Sequence, residues 1–291
     1  MNSLDPSRRD VLKLMGLGTI ALTFSDFTHS SQLTSRARIG LQLYTLRREI
    51  EHDFEGALRK VAAMGFLGIE YYPLPENITT DRAGRVFKDL GLQVLGMHTP
   101  LPVGEHRDAV VKMSDTFHCD RVIYPGWPEG DKYKDVEAMG RTAELFDETS
   151  AFLRSKGLRF GLHNHWWEFE KSDGIYPFYF LLEHLQKEVF FEIDTYWAKT
   201  AGHDPAEVVR DFGRRAPLLH IKDGPAVKGE TMYNHVPAGD GTIDFHAIAK
   251  AGGKNTEWMI VEFDEYGGDI FDAIKKSYTF LTKNGLAEGR A

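Results

Sequence analysis

The run GLRFGLHNHWWEFE, residues 157–170, ends an apolar stretch in two histidines, an asparagine, two tryptophans and a glutamate. Imidazole is the side chain whose ordinary pKa lies nearest neutrality, so His163 and His165 can take up a proton and return it at physiological pH. Glu168 adds a carboxylate just beyond, and Trp166 and Trp167 add flat apolar faces. Three more apolar runs end in the same manner. VFFEIDTYWA leads into Asp194, PLLHIKDG holds His220, Lys222 and Asp223, and WMIVEFDEYGG holds Glu262 and Asp264. Each puts charge into a stretch otherwise fit for a core, where an unpaired carboxylate is costly.

The elements that must position these groups follow from periodicity. From Arg38 onward, short aliphatic and aromatic runs alternate with stretches of apolar spacing three and four. Strands are predicted at 39–44, 68–72, 93–98, 121–124, 159–165, 189–193, 218–221 and 258–262. Helices are predicted at 54–63, 80–90, 105–117, 136–156, 177–183, 205–212, 245–251 and 270–282. Glycine stops (MGFLG, LGL, SKGL, AGG) stand between helix and next strand, where a helix C-terminus favours glycine. Eight strand–helix units over roughly 250 residues predict a single (β/α)8 TIM barrel. An open doubly wound sheet lacks its G-x-G-x-x-G turn.

A barrel gathers the C-terminal ends of its strands at one face. In order they supply Gln42 and Tyr44, Glu70, His98, Tyr124, the 163–165 triplet, Asp194, His220 with Lys222 and Asp223, and Glu262 with Asp264. Such a ring of carboxylates and imidazoles repels itself unless a cation sits within it. Its ligand chemistry suits a divalent ion: Mn, Co, Zn, Mg or Fe. Structural alternatives stand beside this reading. Asp194 can cap a helix, His220 can bond a backbone carbonyl, His98 can be held by the Pro100 turn, and Glu70 can pair with an arginine. Trp166, Trp167, Tyr196 and Trp197 can stack on a sugar ring or simply pack. His29, His52, His106, His184 and His246 lie in the leader or on helix starts and surfaces, away from the ring.

Residues 1–36 read as a leader and 37–291 as the catalytic barrel. Arg8 and Arg9 precede a mostly apolar run that is too short for an ordinary membrane span. With Val11, Leu12 and Lys13 they resemble a twin-arginine export signal, which predicts a periplasmic protein with no stable membrane insertion. The chain has 291 residues, 42% hydrophobic, enough for one large core. Its net charge of −8 and lack of a basic run exclude a nucleic-acid partner and favour a small neutral substrate. Cys119 is the single cysteine, so no internal disulfide forms, and it reads as a core residue.

Taken together, GLQLYTLR, GLHNHWWEF, FEIDTYWAKTAGHDP, LLHIKDG, VPAGDGTIDF and IVEFDEY resemble the sugar phosphate isomerase/epimerase family, the xylose-isomerase-like barrels. The resemblance runs from about Ile39 to Leu281. It implies a divalent metal held by Asp194, His220 and Glu262. The family's fourth ligand, a strand-five glutamate, is replaced here by His163. Either His163 ligates in its place or Glu168 folds back to do so, and Glu168, the nearest carboxylate, is the assignment adopted.

The resemblance also implies proton transfer beside a carbonyl, through an enediolate, with two facing glutamates. One of those is missing, so His163 or His165 becomes the base, with Glu262 opposite. Lys222 is assigned to an oxyanion or a substrate hydroxyl, with a salt bridge to Asp223 or Asp264 as its structural alternative. Gln42, Tyr44, His98, Asn164 and Trp197 are assigned to substrate contact. No phosphate cradle is visible, so the expected substrate is an unphosphorylated sugar or keto-sugar. Elimination from the same enediolate leaves a dehydratase or a keto-glycoside lyase as the alternative. An exported sugar-binding protein is the non-enzymatic one. A phosphodiesterase of the endonuclease type would need a basic groove, which the acidic charge disfavours.

Overall fold

The computed structural model describes residues 36–126 and 132–290. Residues 1–35 of the predicted leader fall outside that range. Eight parallel strands close on themselves: β1 (Ala37–Gln42), β2 (Gly68–Tyr71), β3 (Gln93–His98), β4 (Arg121–Tyr124), β5 (Arg159–His163), β6 (Phe190–Asp194), β7 (Leu218–Ile221) and β8 (Trp258–Val261). Each pairs with its neighbour in sequence, and β1 joins both β8 and β2. A short β9 (Ala287–Glu288) pairs with the start of β1, below the point where β2 begins its ladder. The predicted barrel is therefore the observed one. Two strands stop two residues short of expectation: β1 at Gln42, where a 3-10 turn over Leu43–Leu46 begins, and β5 at His163; the C-terminal ends of β2, β6 and β8 differ by one residue.

The intervening helices are α1 (Arg47–Met64), α2 (Thr80–Asp89), α3 (His106–Phe117), α4 (Val136–Ser155), α5 (Pro177–His184), α6 (Thr195–Thr200), α7 (Pro205–Phe212), α8 (Phe245–Gly252) and α9 (Ile270–Lys283). Carboxylate caps start most of the later ones. Asp135, Asp194, Asp204, Asp244 and Asp269 each accept backbone N–H groups of the first turn that would otherwise lack partners. The short α6 escaped the sequence reading because its six residues continue the apolar run of β6 without a break in hydropathy.

Alternation along the strands stacks the barrel interior in layers, since residues two apart share a face. On β6 the inward series is Phe190, Glu192, Asp194; on β7 Leu218, His220, Lys222; on β8 Trp258, Ile260, Glu262. The lowest layer is an apolar floor of Leu95, Ile123, Phe190, Leu218, Trp258 and Ile260, all buried. Glycines on the facing strands make room for it. A Cβ on Gly161 would lie 2.3 Å from the Phe190 ring, and one on Gly68 would lie 2.9 Å from the Trp258 indole. The floor closes the bottom of the barrel and forces the polar layers above it toward the open end.

Gly161→Val would drive two methyl groups into the Phe190 ring. Overpacking of this kind costs about 1–3 kcal/mol, so the melting temperature read by circular dichroism should fall by several degrees. An unchanged melt would mean the floor has slack that the packing does not show.

Candidate active site

The middle layer is a closed network of imidazoles and carboxylates. Three nitrogens converge on one oxygen, Glu192 Oε2: His98 Nε2 at 2.7 Å, His163 Nδ1 at 3.0 Å and His220 Nε2 at 3.2 Å. Glu70 Oε2 lies 2.7 Å from His220 Nε2 and 3.2 Å from His98 Nε2, and accepts the Gln42 side-chain amide at 2.7 Å. Burial works against the charge on Glu192, but the rings of His220 and His98 outweigh it and hold the carboxyl below its ordinary range. Burial likewise opposes a charged His98, while Glu70 and Glu192 raise it to about 10. His163 behaves oppositely. Burial, reinforced by His220, His165 and His98, pushes it well below the usual imidazole range. An ionised carboxylate has no proton to give, so His163 donates through Nδ1 and keeps Nε2 as its basic nitrogen.

The layer above is built around Lys222. Its ammonium lies 3.0 Å from Asp194 Oδ2, 2.9 Å from Glu262 Oε2 and 3.0 Å from Asp264 Oδ2. Burial opposes its charge, yet Asp194, Asp264 and Glu262 hold it charged. Of the two salt-bridge partners weighed from sequence, Asp264 is the one observed. Asp223 points into the loop after β7 instead, where it accepts the backbone N–H groups of Gly224, Gly239, Gly241 and Ile243 at 2.9–3.1 Å. That single carboxylate folds the VPAGDGTIDF segment and brings His235 over the site. His235 Nδ1 accepts the Asp264 backbone N–H at 3.1 Å.

Above these layers opens a cavity of about 350 Å³. His163, His165, Lys222, Glu262 and Asp264 form its chemical wall, and Tyr44, Tyr72, Trp167, Trp197 and Tyr233 its aromatic one. His165 stacks on Trp167 with ring centres 4.2 Å apart and planes 9° off parallel. Burial, then Lys222, lowers its pKa to about 3, so it is neutral. Of the residues expected at the substrate, Tyr44, His98 and Trp197 line this cavity and two others do not. Gln42 is buried beneath it on Glu70, and Asn164 is spent on backbone: it accepts Asp194 N–H at 2.9 Å and donates to Asp194 O at 3.3 Å. Tyr196 takes the packing role, donating its hydroxyl to Met232 O at 2.7 Å.

Sequence reasoning missed Glu192, Tyr72, Tyr233 and His235. The signal for Glu192 was present, since it precedes Asp194 by two residues and so shares its face. The same signal was present for Tyr72, which ends the predicted strand 68–72 two residues after Glu70, whereas Tyr233 and His235 sit on a loop whose course periodicity does not give.

Asp194, His220 and Glu262 come together as the resemblance implied: one ligand atom from each lies within 4.8 Å of the others. Asp194 is also the helix cap weighed as its alternative. Its Oδ1 accepts the Trp197 backbone N–H at 2.8 Å, while Oδ2 is the atom that faces Lys222. His220 Nδ1 approaches Glu262 Oε2 at 2.6 Å, and its other nitrogen is anchored on Glu70, the support a metal-ligating imidazole ordinarily has. Two carboxylates, one imidazole and an excess of carboxylate over ammonium around Lys222 are a donor set that fits a divalent cation.

Glu168, expected as the fourth ligand, is placed elsewhere. The 3-10 turn Trp167–Phe169 folds it back so that Oε2 accepts the His165 backbone N–H at 2.8 Å, and it joins neither convergent group of the described residues. Burial pushes its pKa up to about 8. A second convergent group comprises His98, His163, Glu192 and His220.

The fold and this polar cavity at the C-terminal strand ends define a barrel of the isomerase type. The description "Xylose isomerase-like TIM barrel" matches residues 58–284, and the chain belongs to that family. None of the curated protein sequences matches it significantly. Among solved structures, a sugar phosphate isomerase/epimerase from Parabacteroides distasonis aligns with TM-score 0.75 at 21% identity, over 89% of this chain and 100% of that one. An L-ribulose 3-epimerase aligns with TM-score 0.64 at 18% identity, over 86% and 94%. The probable 3-DHS dehydratase AsbF from Bacillus anthracis aligns with TM-score 0.69 at 14% identity, over 84% and 98%. At these identities the likeness concerns the fold. No helix among the described residues is long and apolar enough to cross a membrane.

Metal content separates the two ligand assignments. Asp194→Ala and His220→Ala should each lose bound divalent metal in elemental analysis, whereas Glu168→Gln should retain it. Loss in Glu168→Gln would restore Glu168 to the ligand set.

Glu168 also has a pH signature. Its folded pKa is raised to about 8, so the native state holds a proton that the unfolded chain releases. That stabilisation is complete below the unfolded value and disappears as pH climbs to about 8. Glu168→Gln should therefore lose less stability than the wild type between roughly pH 5 and 9, read by urea denaturation. Parallel losses would place the ionised carboxylate in solvent.

Proposed function

We propose that the protein is a metal-dependent isomerase or epimerase of an unphosphorylated sugar or keto-sugar, working through an enediolate. The observation that carries this reading is that two kinds of proton-accepting wall line one cavity. Neutral imidazoles of His163 and His165 stand at the end of β5, and the ionised carboxylate of Glu262 stands beyond β8. Burial opposes the charge on Glu262, while Lys222 and His220 hold it well below the ordinary range.

A carbon acid between these walls can be deprotonated from one side and reprotonated from the other, which inverts it. It can instead be reprotonated at the neighbouring carbon, which isomerises it. His163 is the better-built base, because Glu192 fixes its tautomer and aims Nε2. The Lys222 ammonium faces the same space and stabilises negative charge developing on a substrate oxygen. A divalent cation held by Asp194, His220 and Glu262 would add Lewis-acid stabilisation to that charge. The aromatic wall of Trp167 and Trp197 offers faces for a sugar ring.

The solved epimerase and the probable dehydratase support this reading as relatives in fold with activities one step apart. Elimination begins with the same proton abstraction and differs only in the loss of a leaving group afterwards.

Incubating the metal-loaded protein with a panel of keto-sugars in D2O should put deuterium on the carbon next to the carbonyl, visible by NMR. His163→Ala should lower the exchange rate by about 10²–10⁴-fold. Exchange with the skeleton retained assigns the isomerase branch, and a product that has shed a hydroxyl or aglycone assigns the lyase branch. No exchange across the panel, with metal bound, would leave a sugar-binding barrel.

A further inference from the structure

A second hollow of about 190 Å³ lies beside the main cavity, where the chain leaves β2, β3 and β4. Pro73, Thr99, Pro100, Leu101 and Tyr124 form its own walls. Tyr72, His98 and Pro125 line both spaces, so the two hollows adjoin along the His98 ring. The contrast in chemistry between them is sharp. The main cavity holds two carboxylates of the Lys222 cluster, the lysine itself and three imidazoles. Among the described residues the side hollow has no carboxylate, lysine or arginine in its lining, and apart from His98 and Thr99 its walls are proline rings, a leucine and two phenol faces. The Tyr124 hydroxyl is already engaged, accepting from the Lys132 ammonium at 2.9 Å. Tyr72 brings a second phenol hydroxyl, and the Thr99 hydroxyl is buried with no hydrogen-bond partner among the described residues.

A sugar ring carries polar groups around its rim and would find few partners in the side hollow. Its place is the main cavity, among the proton-transfer groups, and about 350 Å³ accommodates it. The proline, leucine and tyrosine faces of the side hollow suit a flat group with an apolar face. A space of about 150 Å³ already holds a benzene ring. Because the hollows adjoin at His98, one molecule can fill both if the apolar group is bonded to the sugar.

We propose that the side hollow is an aglycone subsite and that the substrate class is a glycoside bearing an apolar, preferably aromatic, aglycone. This rests on the sugar reading of the main cavity and narrows it. The sugar sits over Lys222 and His163, the glycosidic oxygen passes His98, and the aglycone packs between Leu101 and Pro125.

The test compares matched methyl and 4-nitrophenyl glycosides of common hexoses and pentoses by calorimetry on the full-length protein. For at least one sugar the aryl glycoside should bind ten times more tightly than its methyl partner or better. The ratio should collapse toward one in both Leu101→Asp, which makes the hollow polar, and Leu101→Trp, which fills it. Melting temperatures of both variants report that they fold. Equal affinities, no detectable aryl binding, or a ratio that survives both substitutions would overturn the subsite. Exchange of deuterium into keto-sugars without an aryl advantage would sink the subsite alone. An aryl advantage without exchange would sink the proton-transfer reading and leave the subsite standing.

Discussion

One oxygen atom organises this active site. Glu192 Oε2, fully buried, is approached by nitrogens of His98, His163 and His220 from β3, β5 and β7. Taking a carboxylate this deep out of water costs several kcal/mol unless its neighbours compensate. Here the compensation comes from rings that are themselves buried, so no member of the group can be removed without stranding the rest. The outcome is positional. Each ring has one nitrogen fixed on Glu192 or Glu70, which sets its tilt and, for the neutral His163, its tautomer, and the other nitrogen is thereby aimed. For His163 that is the cavity; for His220 it is Asp194 and Glu262.

Below this network lies the apolar floor, and above it the cavity opens. Trp258 and Phe190 fill the floor, and the glycines against them leave the space they need: a Cβ at Gly68 or Gly161 would meet their rings. At the top, the loop after β7 brings His235 over the site. Its fold depends on Asp223, whose carboxylate turns away from the site although it follows Lys222 directly. Alternation decides this: Lys222 continues the inward series of His220, and Asp223 falls on the opposite face.

Those regularities explain what the sequence could reveal. Strands, helices and the inward positions at strand ends are local and periodic, so the barrel and the set Asp194, His220, Glu262 and Lys222 were legible from it. Glu192 was legible by the same rule and was overlooked because it lies inside an apolar run instead of at its end. Glu168 and Asn164 misled for the converse reason. Both follow β5, where the strand has ended and side-chain direction no longer alternates, and the turn spends them on backbone N–H and C=O groups. Tyr233 and His235 reach the site only through a loop closed by a carboxylate ten or more residues away. No window of sequence contains that relation.

The two polar layers differ in how they carry charge, and this difference divides their work. The inner layer is close to balanced by itself, two carboxylates against imidazoles, of which His98 and His220 are held charged. The outer layer is not: Asp194, Glu262 and Asp264 share one lysine. Burial raises Asp264 to about 6 and raises Asp194 as well, so carrying this excess of negative charge is costly. A metal cation bound by the same lone pairs would offset that cost. A balanced inner layer holds geometry, and an outer layer with an excess of carboxylate leaves room for a cation. His220 belongs to both, with Nε2 below and Nδ1 above. Among the described residues it is the ring shared by both convergent groups, so a change of charge in the outer layer acts directly on a member of the inner one.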